Sequence, residues 1–269
     1  MRSNENGRLV LIGGGEDKKG DKLILKEIVR LSGGSKGRIA LFTAASQEPA
    51  QGVKDYEQAF LDLGVEEVFV LPVNSRREAS NRNNIDSLSR ATAFFMTGGD
   101  QLRITSILGG TLLEKELHSL YQKGRLVICG TSAGASVMSD TMLVGGEGEE
   151  PPRKEGIAMA PGLRFLNRAV VDQHFAERGR INRLLTVLAH NPGILGIGID
   201  ENTAVIIRDG YNLEVIGEQG VTLLDGRTIE AANVTEQAPG RALAITGITL
   251  HVLKHGCAYN LEDRKPLTL

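Results

Sequence analysis

The chain has 269 residues, 41% of them hydrophobic and 24% charged, with a formal net charge of -2. That composition belongs to a folded protein with a sizeable core, and it excludes intrinsic disorder and collagen-like repeats. Near-neutral charge removes the global basic field of a nucleic-acid binder, and 4% aromatics with no Trp removes stacking platforms for single strands.

The start, MRSNENGRLV, is polar and has no apolar signal segment, and no later run approaches the ~18 apolar residues of a membrane span. RLVLIGGG (8–15) reads as a buried strand ending in glycines. A helix follows with Leu23, Ile24, Ile28 and Leu31 on one side, stopped by Gly33-Gly34. RIALFTAAS (38–46) is the second strand, and the helix after it carries Tyr56, Phe60 and Leu63 and stops at Gly64. VFVLPV (68–73) and ATAFFMTGG (91–99) are the third and fourth strands. LRITSILGGTLLEKELHSLYQKG (102–124) is helical with a break at Gly109-Gly110, and RLVICG (125–130) is the fifth strand. Continuous aliphatic runs alternating with amphipathic helices predict parallel strands covered on both faces.

Residues 144–162 lack periodicity and read as a surface loop, whereas GRINRLLTVLAHNPG (179–193) reads as a helix. From 194 onward ILGIGIDE, TAVIIRDG, LEVIGEQG, VTLLDG and AITGITLHVL follow as closely spaced strands with no room for helices. The expected architecture is one α/β domain over residues 1–269. Its doubly wound, mostly parallel sheet is extended by antiparallel strands from residues 194–269. Cys129 and Cys257 are too few for a disulfide framework or a four-cysteine zinc site, which points to a reducing, cytoplasmic setting.

In an open parallel sheet the ligand lies beyond the carboxyl ends of the strands. Those ends carry GGGED (13–17), TAASQE (43–48), TGGDQ (97–101), GTSAG (130–134), DQH (172–174) and DEN (200–202). GTSAG fits the nucleophile elbow G-x-S-x-G, in which glycines let a sharp strand-to-helix turn lift the serine into the cleft. GGSKG (33–37) matches too, but lies between a helix and a strand, where a cap and loop explain it. Ser132 follows a strand and opens a small-residue helix, ASVMSD, although a serine there also serves as a plain helix N-cap. A serine nucleophile needs a base. His118, His190, His251 and His255 sit in helical or terminal strand patterns, while His174 sits at a strand end. The base needs an orienting acid, for which Asp200 and Glu201 are both placed. Donors for an oxyanion would be the Ala133 amide and the Gly98-Gly99 turn, with Gly99 as the residue of choice.

GTSAG, TGGDQ, DQHFAERGRINRL (172–184) and GIDENTAV (198–205) together resemble the cyanophycinases, of the serine peptidase group that includes aspartyl dipeptidase E. That group is similar in fold to class I glutamine amidotransferases, a flavodoxin-like arrangement, with Ser where those have Cys. The resemblance implies a serine exopeptidase acting on cyanophycin, a polyaspartate carrying Arg on each side-chain carboxyl, with the β-Asp-Arg dipeptide as product. It assigns Ser132 as nucleophile, His174 as base and Glu201 as acid. It also places Gln101, Asp172, Gln173, Arg178, Arg180 and Arg183 in the substrate pocket and implies a homodimer. The residues agree with such a substrate, because three closely spaced arginines suit repeated carboxylates. A solvated charged face is the plainer explanation of the same arginines. The acidic run GEGEE, with Glu147, Glu149 and Glu150, would suit guanidinium groups, though it also reads as a solvated loop.

Two other functions are open to this sequence. One is a dipeptidase for short Asp-X peptides. The other is a nucleotide-binding α/β module using GGGED, which however is neither G-x-G-x-x-G nor a P-loop and carries Glu16-Asp17, which would repel phosphate. No cofactor is expected, and no metal either, because His174 has no second His or Cys at ligand spacing.

Overall fold

In a computed structural model that describes residues 7–46, 49–146 and 150–268, the aliphatic runs of the first half form five short strands. They are β1 (Leu9–Ile12), β2 (Arg38–Phe42), β3 (Glu67–Val70), β4 (Ala93–Met96) and β5 (Val127–Thr131). Between them run α1 (Leu23–Leu31), α2 (Pro49–Asp62), α3 (Arg82–Ser89), α4 (Gln101–Leu108) and α5 (Leu112–Gln122), and α6 (Ala133–Ser136) follows β5. The two-residue period of a strand sends alternate side chains to opposite faces. Leu9, Leu11, Phe42, Phe94 and Met96 therefore pack under the face covered by α4 and α5. Val10, Ile12, Ile39, Leu41 and Phe95 meet Ile24, Leu25 and Ile28 of α1 and Phe60 of α2 on the other. Helix α3 shows only Leu88 and the partly buried Ile85 to the core, too few apolar positions to announce a helix. Asn81 caps its start by accepting from the Asn83 amide.

The remaining elements are β6 (Thr141–Gly145), β7 (Ala158–Pro161), β8 (Ala169–Gln173), α7 (Ile181–His190), β9 (Leu195–Ile199), β10 (Thr203–Arg208), β11 (Asn212–Gly217) and β12 (Val221–Asp225). After these come β13 (Ala231–Ala232), β14 (Ile245–Thr246), β15 (Thr249–Leu253), β16 (Ala258–Asn260) and β17 (Lys265–Thr268). The main sheet has the order β17-β16-β11-β10-β1-β5-β4-β2-β3. Its β3-β2-β4-β5-β1 portion is parallel, and from β10 outward every pairing is antiparallel. Four of the parallel strands follow the flavodoxin order 2-1-3-4, but the first strand of the chain takes the position of the fifth.

Two expectations are corrected here. Residues 194–269 are not one extension: β9, β12 and β15 leave the main sheet and join β8 in a second sheet of order β15-β12-β9-β8. The chain alternates between the sheets at short turns, at Asp200–Asn202 and again at residues 218–220, so strands of the same composition end in different sheets. The stretch 144–162 is not all loop either, since β6 and β7 pair as an antiparallel hairpin across it.

In β9 the sequence LGIGI alternates in a way that explains the layers. Leu195, Ile197 and Ile199 face the main sheet. Gly196 and Gly198 face outward, where an added Cβ would lie 2.8 Å from Leu184 of α7 and 2.5 Å from the Phe175 ring. That close approach seats Phe175 beside its neighbour His174. Among the described residues no helix is long and apolar enough to cross a membrane.

The aromatic knot under α2 gives a stability prediction. Phe95 is fully buried, 4.8 Å from the Tyr56 ring and 5.6 Å from Phe60, centroid to centroid. Phe95→Ala should cost about 3–5 kcal/mol, read as a lower urea midpoint at an unchanged slope.

Candidate active site

The turn after β5 is shaped by contacts that only glycine permits. A Cβ on Gly130 would stand 2.2 Å from the Gly134 carbonyl oxygen, and one on Gly134 would stand 2.3 Å from that of Met96. Between them Ser132 is held at φ 53°, ψ -114°, backbone that L residues rarely adopt. Its amide donates to the Ile12 carbonyl of β1 at 3.0 Å, which fixes the residue from the adjacent strand. The Ser132 hydroxyl makes no cap to α6, so the N-cap explanation fails. It lies instead 2.9 Å from Nε2 of His174.

His174 follows β8 with φ 46°, and its amide donates to the Gly13 carbonyl at 2.8 Å. Its Nδ1 is 2.5 Å from Oε1 of Glu201. A neutral ring donating to that carboxylate carries its proton on Nδ1, leaving Nε2 to accept from the serine hydroxyl. Glu201 sits in the crossover from the second sheet to the first, and its amide donates to Oε1 of Glu177 at 3.1 Å. The sequence leaves Asp200 and Glu201 open as the acid, and the geometry separates them. Asp200 accepts from the amides of Ala176 (3.0 Å) and Gly220 (3.1 Å), and burial raises its carboxyl above the ordinary range.

The glycines of GGGED form the back wall of this line. A Cβ on Gly14 would fall 2.2 Å from Cε1 of His174, and one on Gly15 would fall 2.9 Å from Oε2 of Glu201. A turn closed against two side chains has no room to cradle a phosphate, which argues against the nucleotide-binding module. Gly98 and Gly99 of the neighbouring turn lie along the elbow: a Cβ on Gly98 would be 3.4 Å from that of Ser132, and one on Gly99 (φ 138°) would strike the Ala45 carbonyl at 2.1 Å. Ala133 is the first residue of α6, directly after Ser132, where amides lack intrahelical acceptors.

The residues expected to bind substrate divide into two groups. Gln101 donates through Nε2 to the Leu143 carbonyl at 2.9 Å, and Gln173 presents Oε1 at 3.4 Å from the Ser132 hydroxyl. Arg178 is exposed and makes no side-chain hydrogen bond or ion pair among the described residues. Asp172, by contrast, is 1% exposed and holds Arg183 in a fork, Nε to Oδ2 at 2.6 Å and Nη2 to Oδ1. Arg180 stands 3.4 Å from the same carboxylate and donates to the Gln173 carbonyl at 2.5 Å. Burial pulls the Arg180 guanidinium down to about 10, against the opposing pull of Asp172. The three arginines are thus neither an open carboxylate cluster nor a solvated face. Arg183 is buried in an internal ion pair, Arg180 is shared between the Asp172 carboxylate and the Gln173 carbonyl, and Arg178 has neither kind of partner among the described residues.

Of the acidic run, Glu147 and Glu149 lie outside the described residues, and Glu150 pairs with Arg153 at 2.8 Å. A cavity of about 1000 Å³ opens at the other end of β8 and β9, lined by Arg164, Arg168, Ala169 and Leu195 among others, and touches none of these residues. Glu16, which the sequence presents only as a charge that would repel phosphate, is buried. Its carboxylate accepts from the Thr131 hydroxyl at 2.7 Å and from the Tyr56 hydroxyl. The available signal was a carboxylate in a strand-end turn otherwise made of glycine.

The sequence profile of peptidase family S51 matches residues 9–215. A cyanophycinase of Geminocystis herdmanii is 36% identical over 267 residues, covering 99% of this chain and 98% of that one. A cyanophycinase of Synechococcus elongatus is 36% identical over 265 residues, covering 98% of this chain and 82% of the other. Among solved structures, a peptidase from an acI-B1 Actinobacterium superposes with a TM-score of 0.70 at 21% identity, over 96% of this chain and 98% of that one, a likeness of fold.

Different roles for the arginines predict different costs. Arg183→Met removes the main partner of a buried carboxylate and should destabilise by about 3–5 kcal/mol. Arg178→Met should stay within about 0.5 kcal/mol of the parent. Urea denaturation of both variants measures the contrast.

Proposed function

This chain belongs to peptidase family S51, and from that membership and the line Ser132–His174–Glu201 we propose a serine exopeptidase that degrades cyanophycin to β-Asp-Arg dipeptides. The observation that carries the reading is the unbroken contact from the strained Ser132 hydroxyl to His174 (2.9 Å) and on to Glu201 (2.5 Å). The names of relatives matched over nearly the whole chain supply the substrate. The strand order around the elbow agrees with a fold like that of the class I glutamine amidotransferases.

In this mechanism His174 takes the Ser132 proton as the oxygen attacks the scissile carbonyl, and Glu201 stabilises the imidazolium that forms. Amides of Ala133 and Gly99 receive the developing oxyanion. His174 then returns the proton to the leaving amine, and water hydrolyses the acyl-enzyme by the same steps in reverse order. Each polymer unit presents one carboxylate and one guanidinium. Arg178, exposed beside the base, supplies a fork for the carboxylate, with Gln101 and Gln173 alongside the serine. Asp172 and Arg183 act from beneath, keeping Gln173 and the start of α7 in place. The resemblance further supports a cytoplasmic homodimer.

Insoluble cyanophycin and mass spectrometry of the released products test the proposal. Wild type should release β-Asp-Arg, and Ser132→Ala should lower kcat by roughly 10⁶. Glu201→Gln should lower it by about 10⁴, because the amide no longer holds the required tautomer, whereas Asp200→Asn should keep most turnover. Equal release by wild type and Ser132→Ala would remove the nucleophile assignment. Turnover of short α-Asp peptides in preference to the polymer would point to the dipeptidase.

A further inference from the structure

We infer that Glu16 is a positioning residue for the nucleophile: its buried carboxylate clamps the turn after β1 to the elbow after β5 through Thr131, and to α2 through Tyr56. The inference rests on the serine-peptidase reading above and extends it to a residue outside the Ser–His–Glu line.

Glu16 is 3% exposed, and a carboxylate taken that far from water is costly unless hydrogen bonds satisfy it. Two hydroxyls from different elements do so. Thr131, the last residue of β5, donates to Oε2 at 2.7 Å, and Tyr56 of α2 donates to Oε1. Lys18 adds its ammonium 3.9 Å from Oε1 and 4.7 Å from the centre of the Tyr56 ring. Burial, then the adjacent Glu16 charge, push the Tyr56 hydroxyl well above its ordinary range, which keeps it protonated and donating.

These contacts bear on the site because of what the same turn touches. Gly13 accepts from the His174 amide at 2.8 Å, Gly14 lies against the imidazole, and Gly15 lies against the Glu201 carboxylate. One five-residue turn therefore sets base and acid, and Glu16 is the side chain that ties it to the serine. Ser132 is the residue after Thr131, in a backbone conformation that persists only if its surroundings impose it. Its amide is held by Ile12, and the preceding side chain is held by Glu16, so both tethers come from the same segment. An apolar side chain in the same place would avoid the desolvation cost of a buried carboxylate. What a carboxylate adds there is directed attachment to two hydroxyls.

A loosened tether should displace the nucleophile from its base while leaving substrate contacts alone. Misplacement on the scale of 1 Å costs about 10²-fold in rate. The experiment uses Thr131→Val, close in shape but without the donor, together with Glu16→Ala and the conservative Glu16→Gln. Readouts are kcat and KM on soluble cyanophycin fragments, the rate of Ser132 labelling by a fluorophosphonate probe, and the urea midpoint. Thr131→Val and Glu16→Ala should lower kcat and labelling in the same ratio, about 10- to 100-fold, with KM nearly unchanged. Glu16→Gln, which keeps one acceptor oxygen, should recover much of the loss. Wild-type kcat and labelling in Thr131→Val would overturn the inference, as would losses that merely track the unfolded fraction. If Glu16→Ala does not fold, Thr131→Val decides the matter alone. Turnover by wild type without labelling at Ser132 would instead overturn the serine reading, and this inference with it.

Discussion

The approach of backbone to backbone around Ser132 constrains everything else in this molecule. With the Gly134 carbonyl 2.2 Å from where a Gly130 Cβ would stand, and that of Met96 2.3 Å from a Gly134 Cβ, the elbow closes only if β4, β5 and α6 nearly touch. Such proximity requires β4 and β5 to be hydrogen-bonded neighbours, with β1 on the other side to receive the Ser132 amide. The order β4-β5-β1 meets that requirement. Strain at one residue is held by two flanking strands whose side chains are buried on both faces. A serine in the same conformation on an isolated turn would relax.

Charge beneath the cleft follows a second constraint. Asp172 and Arg183 are both nearly excluded from water, and each would be costly alone. Their bidentate geometry satisfies the carboxylate from one side while the Gln173 amide satisfies it from another, at 2.9 Å. Asp172, Gln173 and His174 are consecutive, so anchoring the first steadies the strand end from which the third reaches Ser132. Arg180 belongs to the same anchor through the Gln173 carbonyl. Of the three arginines, that arrangement leaves Arg178 exposed and without a side-chain hydrogen bond or ion pair among the described residues.

Much of this was legible in the residues and some was not. The five parallel strands declare themselves as aliphatic runs between amphipathic helices, and GTSAG after RLVIC marks Ser132 because steric need dictates glycines there. His174 could be chosen by position at a strand end. The choice between Asp200 and Glu201 could not, because adjacent residues in a tight turn point to opposite sides and the turn geometry is not written in composition. The arginines misled for a related reason: whether a guanidinium faces solvent or a buried carboxylate depends on Asp172, eleven positions away from Arg183. Sheet membership of β9 and β12 was hidden as well. LGIGI and TAVIIR differ little in hydrophobicity, and the three-residue crossover between them decides which sheet each joins.

That crossover is also where fold and chemistry meet. Each sheet alone supplies part of the line: the main sheet carries Ser132 at the end of β5, and the second carries His174 at the end of β8. Glu201 lies on the segment that passes from one sheet to the other. Asn202 then returns its amide to the Gly14 carbonyl at 2.8 Å, and its side chain accepts from the Asp17 amide at 2.9 Å. The turn after β1 is thus pinned by the crossover and in turn backs the imidazole. Relative motion of the two sheets would open the Ser132–His174 contact, and the shared core of Ile197, Ile199 and Val171 against Leu11 and Ile128 opposes that motion. The Ser132–His174–Glu201 geometry is a property of the packing between the sheets, which is why neither half of the sequence carries it alone.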